Sequence, residues 1–130
     1  MSTTASTPSA APASASLAAS AAFRTFAVVF AIATPVIYVV CEMANWPLFS
    51  FYPATNRIVF GYAPGSADEG PAMHWYGWTA VTLIGAAILG LLATMLPESV
   101  TKKIPLSLVW IAPLVSVPVL IYALRFFWRW

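Results

Sequence analysis

Three stretches of the chain stay apolar for longer than a soluble helix usually does, and the polar side chains collect between them. The stretches run over about residues 23–46, 71–96 and 104–127. A helix rises about 1.5 Å per residue and a bilayer's hydrocarbon core is about 30 Å thick, so each stretch is long enough to cross one. The pattern predicts an all-α membrane protein of three transmembrane helices. A short interfacial β-hairpin is expected in the first loop, residues 47–70.

Residues 1–22 are almost all Ala, Ser, Thr and Pro, with no charge and no aromatic ring. Such a segment has little to bury and is expected to be a disordered tail before a single domain at 23–130. A secretory signal or transit peptide would carry more basic residues than Arg24 alone, so an uncleaved tail is the expectation.

Placing helix one at about 100° per residue divides it in two. Arg24, Ala27, Ala31, Thr34, Pro35, Tyr38, Glu42 and Asn45 share one face. Phe26, Val29, Phe30, Val36, Ile37 and Val40 share the other. Small and polar residues belong against other helices, so Glu42 is expected to point inward and the bulky face outward to lipid. Helix two carries a seam of Thr79, Thr82, Ala86, Gly90 and Ala93, continued by Trp75. A second face holds His74, Gly77 and Gly85. Two small faces predict two neighbours, and so a middle position for helix two. Trp75, Tyr76 and Trp78 suit an interfacial aromatic belt. Helix three places Pro105, Ala112, Ser116 and Ala123 on one face, with Pro113 and Pro118 inside the span. Residues 126–130 read as an aromatic-basic anchor.

In the first loop, the aromatic and β-branched runs Leu48–Tyr52 and Arg57–Tyr62 flank the turn-forming Pro53-Ala54-Thr55-Asn56. This is the expected hairpin. Asp68 and Glu69 are placed at the N-terminus of helix two, where negative charge is favourable, with Pro71 as its first residue.

Composition agrees with the pattern. The 130 residues are 61% hydrophobic and 8% charged, too few charges to cover a soluble surface. Lipid is the expected surrounding. A net charge of +2 gives no reason to expect nucleic acid. The single Cys41 excludes an internal disulfide. There is no phosphate-binding Gly-Lys loop and no Gly-x-Ser-x-Gly elbow, and the reading leans away from an enzyme.

Candidate chemistry gathers at one end of the helices, where Glu42, His74, Asp68 and Glu69 make up the candidate polar site. Glu42 lies near the end of helix one and His74 near the start of helix two, so antiparallel spans bring them to similar depth. Ionisable groups within a membrane are functional candidates, because burying charge in lipid is costly. A hydrogen bond from His74 to Glu42 or to a loop carbonyl is the plainest expectation. Met43, Met73, His74 and Cys41 together have the soft donor set that suits copper.

Three functions are compatible with this sequence. The first is a small accessory or structural subunit of a larger membrane assembly, because three helices offer little interior. The second is an oligomeric transport or proton-handling protein using Glu42 and His74. The third is a copper-binding membrane protein. Lys102 and Lys103 in the short second loop favour a cytoplasmic N-terminus, in a bacterial inner membrane.

Overall fold

The computed structural model describes residues 20–123 and 125. Within them are helices α1 (Ala21–Ala44), α2 (Trp75–Ala93), α3 (Glu98–Thr101) and α4 (Leu108–Ala123), and strands β1 (Phe49–Tyr52) and β2 (Arg57–Phe60). Most of the expected tail and the aromatic-basic anchor lie outside the described residues.

The molecule is mainly helical, with one two-stranded antiparallel sheet. α1 and α2, of 24 and 19 residues, are long and apolar enough to cross a membrane. α4 is apolar but shorter, at 16 residues.

α1 ends two residues before Trp46. Asn45 turns left-handed at φ 55°, and the Trp46 amide donates to the Cys41 carbonyl at 2.9 Å. That bond, spanning five residues, closes the helix and satisfies a terminal carbonyl. Asn tolerates the left-handed conformation better than most residues.

The hairpin forms where expected. Phe49 pairs with Phe60 and Tyr52 with Arg57, around the four-residue turn 53–56. Asn56 supplies the positive φ, at 51°.

α2 begins four residues later than the Pro71 start expected from sequence. Met73 is drawn instead into extended pairing with β1. Its amide donates to the Phe51 carbonyl at 2.7 Å, and the Phe51 amide donates back at 3.0 Å. Backbone groups used across the chain in this way cannot also serve a helix. Asp68 and Glu69 are therefore not in the first turn of α2, which holds no acidic residue. α4 likewise begins at Leu108 rather than Ile104, after a turn in which the Leu108 amide donates to the Pro105 carbonyl at 3.2 Å. Proline has no amide of its own and disfavours helical backbone just before it.

The central helix is α1, not helix two. α1 packs along α2 on one side and α4 on the other, and among the described residues α2 and α4 do not touch. The small-residue seam of α2 is spent on α1. Thr82, Ala86 and Gly90 are buried there, and a Cβ on Gly90 would lie 2.7 Å from the Phe26 ring. Gly85 faces Ile37 across the same interface, at 3.2 Å from an added Cβ. Phe26 and Ile37, expected to face lipid, are thus the bulky side chains that fill the notches of α2. A glycine leaves a notch into which a large side chain of the neighbouring helix can pack. Of the rest of the expected bulky face, Val29 and Phe30 are half-buried, and Val36 and Val40 are more than half exposed at 58% and 51%.

The hairpin cap as candidate functional site

The cap comprises the hairpin, the following loop and the first turn of α2. Alternation along β1 puts Ser50 and Tyr52 on one side of the strand, and both are buried, at 0% and 2% exposure. Gly77 lets the strand approach α2. The Leu48 amide donates to the Gly77 carbonyl at 3.1 Å. A Cβ on Gly77 would overlap the Phe49 carbonyl and come within 2.7 Å of Pro47.

The Ser50 hydroxyl is the hub. It donates to the Gly61 carbonyl at 2.8 Å and accepts from the Ala63 amide at 3.0 Å. It also lies 3.0 Å from Nδ1 of His74. A hydroxyl has one proton and two lone pairs. With its proton on Gly61, Ser50 must accept from His74, which assigns the proton to Nδ1 and leaves a lone pair on Nε2. This tautomer follows from hydrogen-bond accounting, in which every partner is satisfied.

Two aromatic rings flank the half-buried imidazole. Tyr62 lies tilted against it with centroids 4.9 Å apart, and Trp78 lies tilted at 6.1 Å. Burial holds the imidazole's pKa below its usual 6.5, because charge is disfavoured where water is scarce. The Tyr52 hydroxyl donates to the Pro64 carbonyl at 2.9 Å, pinning the loop beneath the sheet. Arg57 and Glu69 form an ion pair at 2.8 Å across the loop, with the Arg57 guanidinium over the Tyr52 ring.

The residues expected to form a site are only partly gathered. His74 is bonded to Ser50, and no ion pair joins it to Glu42 among the described residues. Glu69 serves the Arg57 pair, whereas Asp68 is exposed. Cys41 is buried, Met43 is 78% exposed, and Met73 is held by its backbone to Phe51. Among the described residues no three His, Cys, Asp or Glu side chains are grouped to hold a metal ion. Of the helix-packing set, Thr82, Ala86 and Gly90 are buried, and Ala31, Thr79, Ala93, Ala112 and Ser116 are half-buried.

Sequence reasoning missed Ser50 and Tyr52. The signal for both was the two-residue period of an otherwise aromatic strand. One hydroxyl on the inward register of such a strand has to find partners.

As chemistry, the arrangement offers one neutral imidazole with a free lone pair, flanked by two aromatic rings. It can accept one hydrogen bond or one proton. Comparison of the chain with protein-family models, with curated proteins and with solved structures finds no match.

Proposed function

We propose that this chain is an integral membrane protein serving as a small accessory or structural subunit of a larger membrane assembly. The hairpin cap rests at the membrane interface on the non-cytoplasmic side, and the N-terminus lies in the cytoplasm, of a bacterial inner membrane. The observation that carries the reading is the exposure of α4. Among the described residues it touches the rest of the chain only along α1, and Trp110 and Leu114 are 76% and 74% exposed. Pro113 and Pro118 each free a backbone carbonyl within this helix. Such carbonyls are tolerated at membrane depth where neighbouring groups re-satisfy them. α4 therefore has an outer face suited to another protein. The seam of α2 is already filled by α1, so among the helices the demand for a partner rests on α4 alone.

The test is purification of the tagged chain in a mild detergent, with mass spectrometry of what accompanies it. Foreign subunits in fixed ratio, lost on Leu114→Trp while the chain stays folded, are the expected result. A chain that purifies only with copies of itself overturns the accessory reading in favour of a homo-oligomer. Attention then returns to Glu42 and His74, and metal analysis of the same sample decides whether copper is involved.

A further inference from the structure

The hairpin has one edge in use and one open. On the used edge, Phe51 of β1 spends both its amide and its carbonyl on Met73, at 3.0 and 2.7 Å. Ile58 stands opposite Phe51 in the sheet and so receives no bond from it. Bonded and non-bonded pairs alternate along an antiparallel ladder. Phe60, opposite Phe49, therefore shares the phase of Ile58. The Gly61 amide, one residue on, donates to the Leu48 carbonyl at 2.8 Å, as that phase requires. The amides and carbonyls of Ile58 and Phe60 thus point out along the open edge, and they have no backbone partner among the described residues.

The side chains of the same two residues are open as well. Ile58 is 58% exposed and Phe60 84%. They share a sheet face with Phe49 and Phe51, opposite the buried Ser50 and Tyr52. Free edges are commonly guarded by a lysine, a proline or an inward-pointing charge. Ile58, Val59 and Phe60 include none of these, and the charge of Arg57 is spent on Glu69 at 2.8 Å. A lipid tail would cover the side chains but offers the backbone nothing, and water does the reverse. An extended, uncharged, apolar segment meets both demands, with donors and acceptors at the same two-residue spacing.

A second copy of this chain fits the edge poorly. β1 runs from beside Gly77, whose carbonyl accepts from the Leu48 amide, to beside Met73, so the hairpin follows the line of the first turn of α2. Antiparallel pairing with a copy would point that copy's helices the opposite way, out of a shared bilayer. Parallel pairing about a two-fold axis would set N–H against N–H and carbonyl against carbonyl.

We infer that the open edge of β2 takes an extended apolar segment of another subunit as a third strand. The inference rests on the accessory-subunit reading above and names where on the cap the assembly holds this chain. A third strand also steadies a sheet that two strands alone leave marginal.

The experiment compares the assembly purified through the tagged full chain with the same chain stripped of its companions, both in mild detergent. Deuterium exchange is read at single amides. Those of Ile58 and Phe60 are expected to exchange about a hundredfold more slowly in the assembly. The Val59 amide, directed to Ser50 within the hairpin, should be slow in both samples and reports that the hairpin is intact. Ile58→Pro removes only an outward amide, and should return Phe60 to its stripped-chain rate with Val59 still slow. Phe60→Lys puts a charge on the edge without altering the backbone, and should do the same to Ile58. Equal rates at Ile58 and Phe60 in the two samples, with companions present, overturn the inference and leave the accessory reading standing. So does slow exchange that survives both variants. A chain that purifies without foreign subunits overturns both readings, and slow exchange at Ile58 and Phe60 in that sample would put a second copy on the edge instead.

Discussion

The hairpin cap and α4 each pack against a longer helix, yet they are held by different means. The cap is fixed by directional bonds. Ser50 serves three partners, Tyr52 reaches Pro64, and Met73 trades both backbone bonds with Phe51. α4 lies against α1 across an open apolar cleft. Directional bonds define one geometry without help from outside. Apolar contact along a single face leaves the opposite face to lipid or to a partner. The cap is therefore the part of the chain that holds its own shape, and α4 is the part held by apolar contact along one face.

The contrast can be broken from the cap side first. Gly77→Ala should have the largest effect. Its Cβ cannot fit beside the Phe49 carbonyl, so the hairpin must lift from α2, at a cost of about 3 kcal/mol. Thermal unfolding in detergent would measure the loss, and limited proteolysis of the 47–70 loop would locate it. Ser50→Ala comes next. It leaves the Gly61 carbonyl, the Ala63 amide and His74 Nδ1 without their shared partner, and should cost about 2 kcal/mol by the same measurement.

Acidity should act on the cap and spare α4, where no histidine stands. His74 has its folded pKa lowered below 6.5 by burial. The undocked cap therefore takes up a proton more readily than the docked one. Cap stability is fully present above about pH 6.5 and declines as pH falls from there toward the lower folded value. The protection of the Phe51 and Met73 amides against hydrogen exchange, taken relative to the intrinsic rate at each pH, should fall over that window, and His74→Gln should flatten the response.

Smaller effects complete the series. Glu69→Gln removes an ion pair whose arginine is 56% exposed, and should cost about 0.5 kcal/mol, falling further in high salt. Leu114→Trp on the outer face of α4 should shift the melting of the purified chain least, within about 0.5 kcal/mol. Its effect belongs to co-purification. A large loss of stability in the isolated chain would show that α4 is held from within after all.

Much of the architecture was legible because it is local. The apolar runs, the Pro53–Asn56 turn with its aromatic flanks, and the close of α1 near Asn45 depend on neighbours a few residues away. The boundaries moved where distant backbone competed. Phe51 claimed Met73, and α2 lost its expected first turn along with the capping role of Asp68 and Glu69. The site was less legible for the same reason. His74 and Ser50 are 24 positions apart, and nothing in their spacing says that they meet.

The sequence by itself determined the two long apolar helices, the shorter apolar helix that follows them and the hairpin. Tertiary structure decided which helix is central, which face of α1 is inward, and what the histidine touches. Periodicity records which residues share a face but not what lies opposite. Small residues on α2 announce a close neighbour, and only shape matching could assign the notches at Gly85 and Gly90 to Ile37 and Phe26. Likewise a half-buried imidazole seeks a partner, and the choice of Ser50 over Glu42 fell to the strand that Gly77 allows against the start of α2.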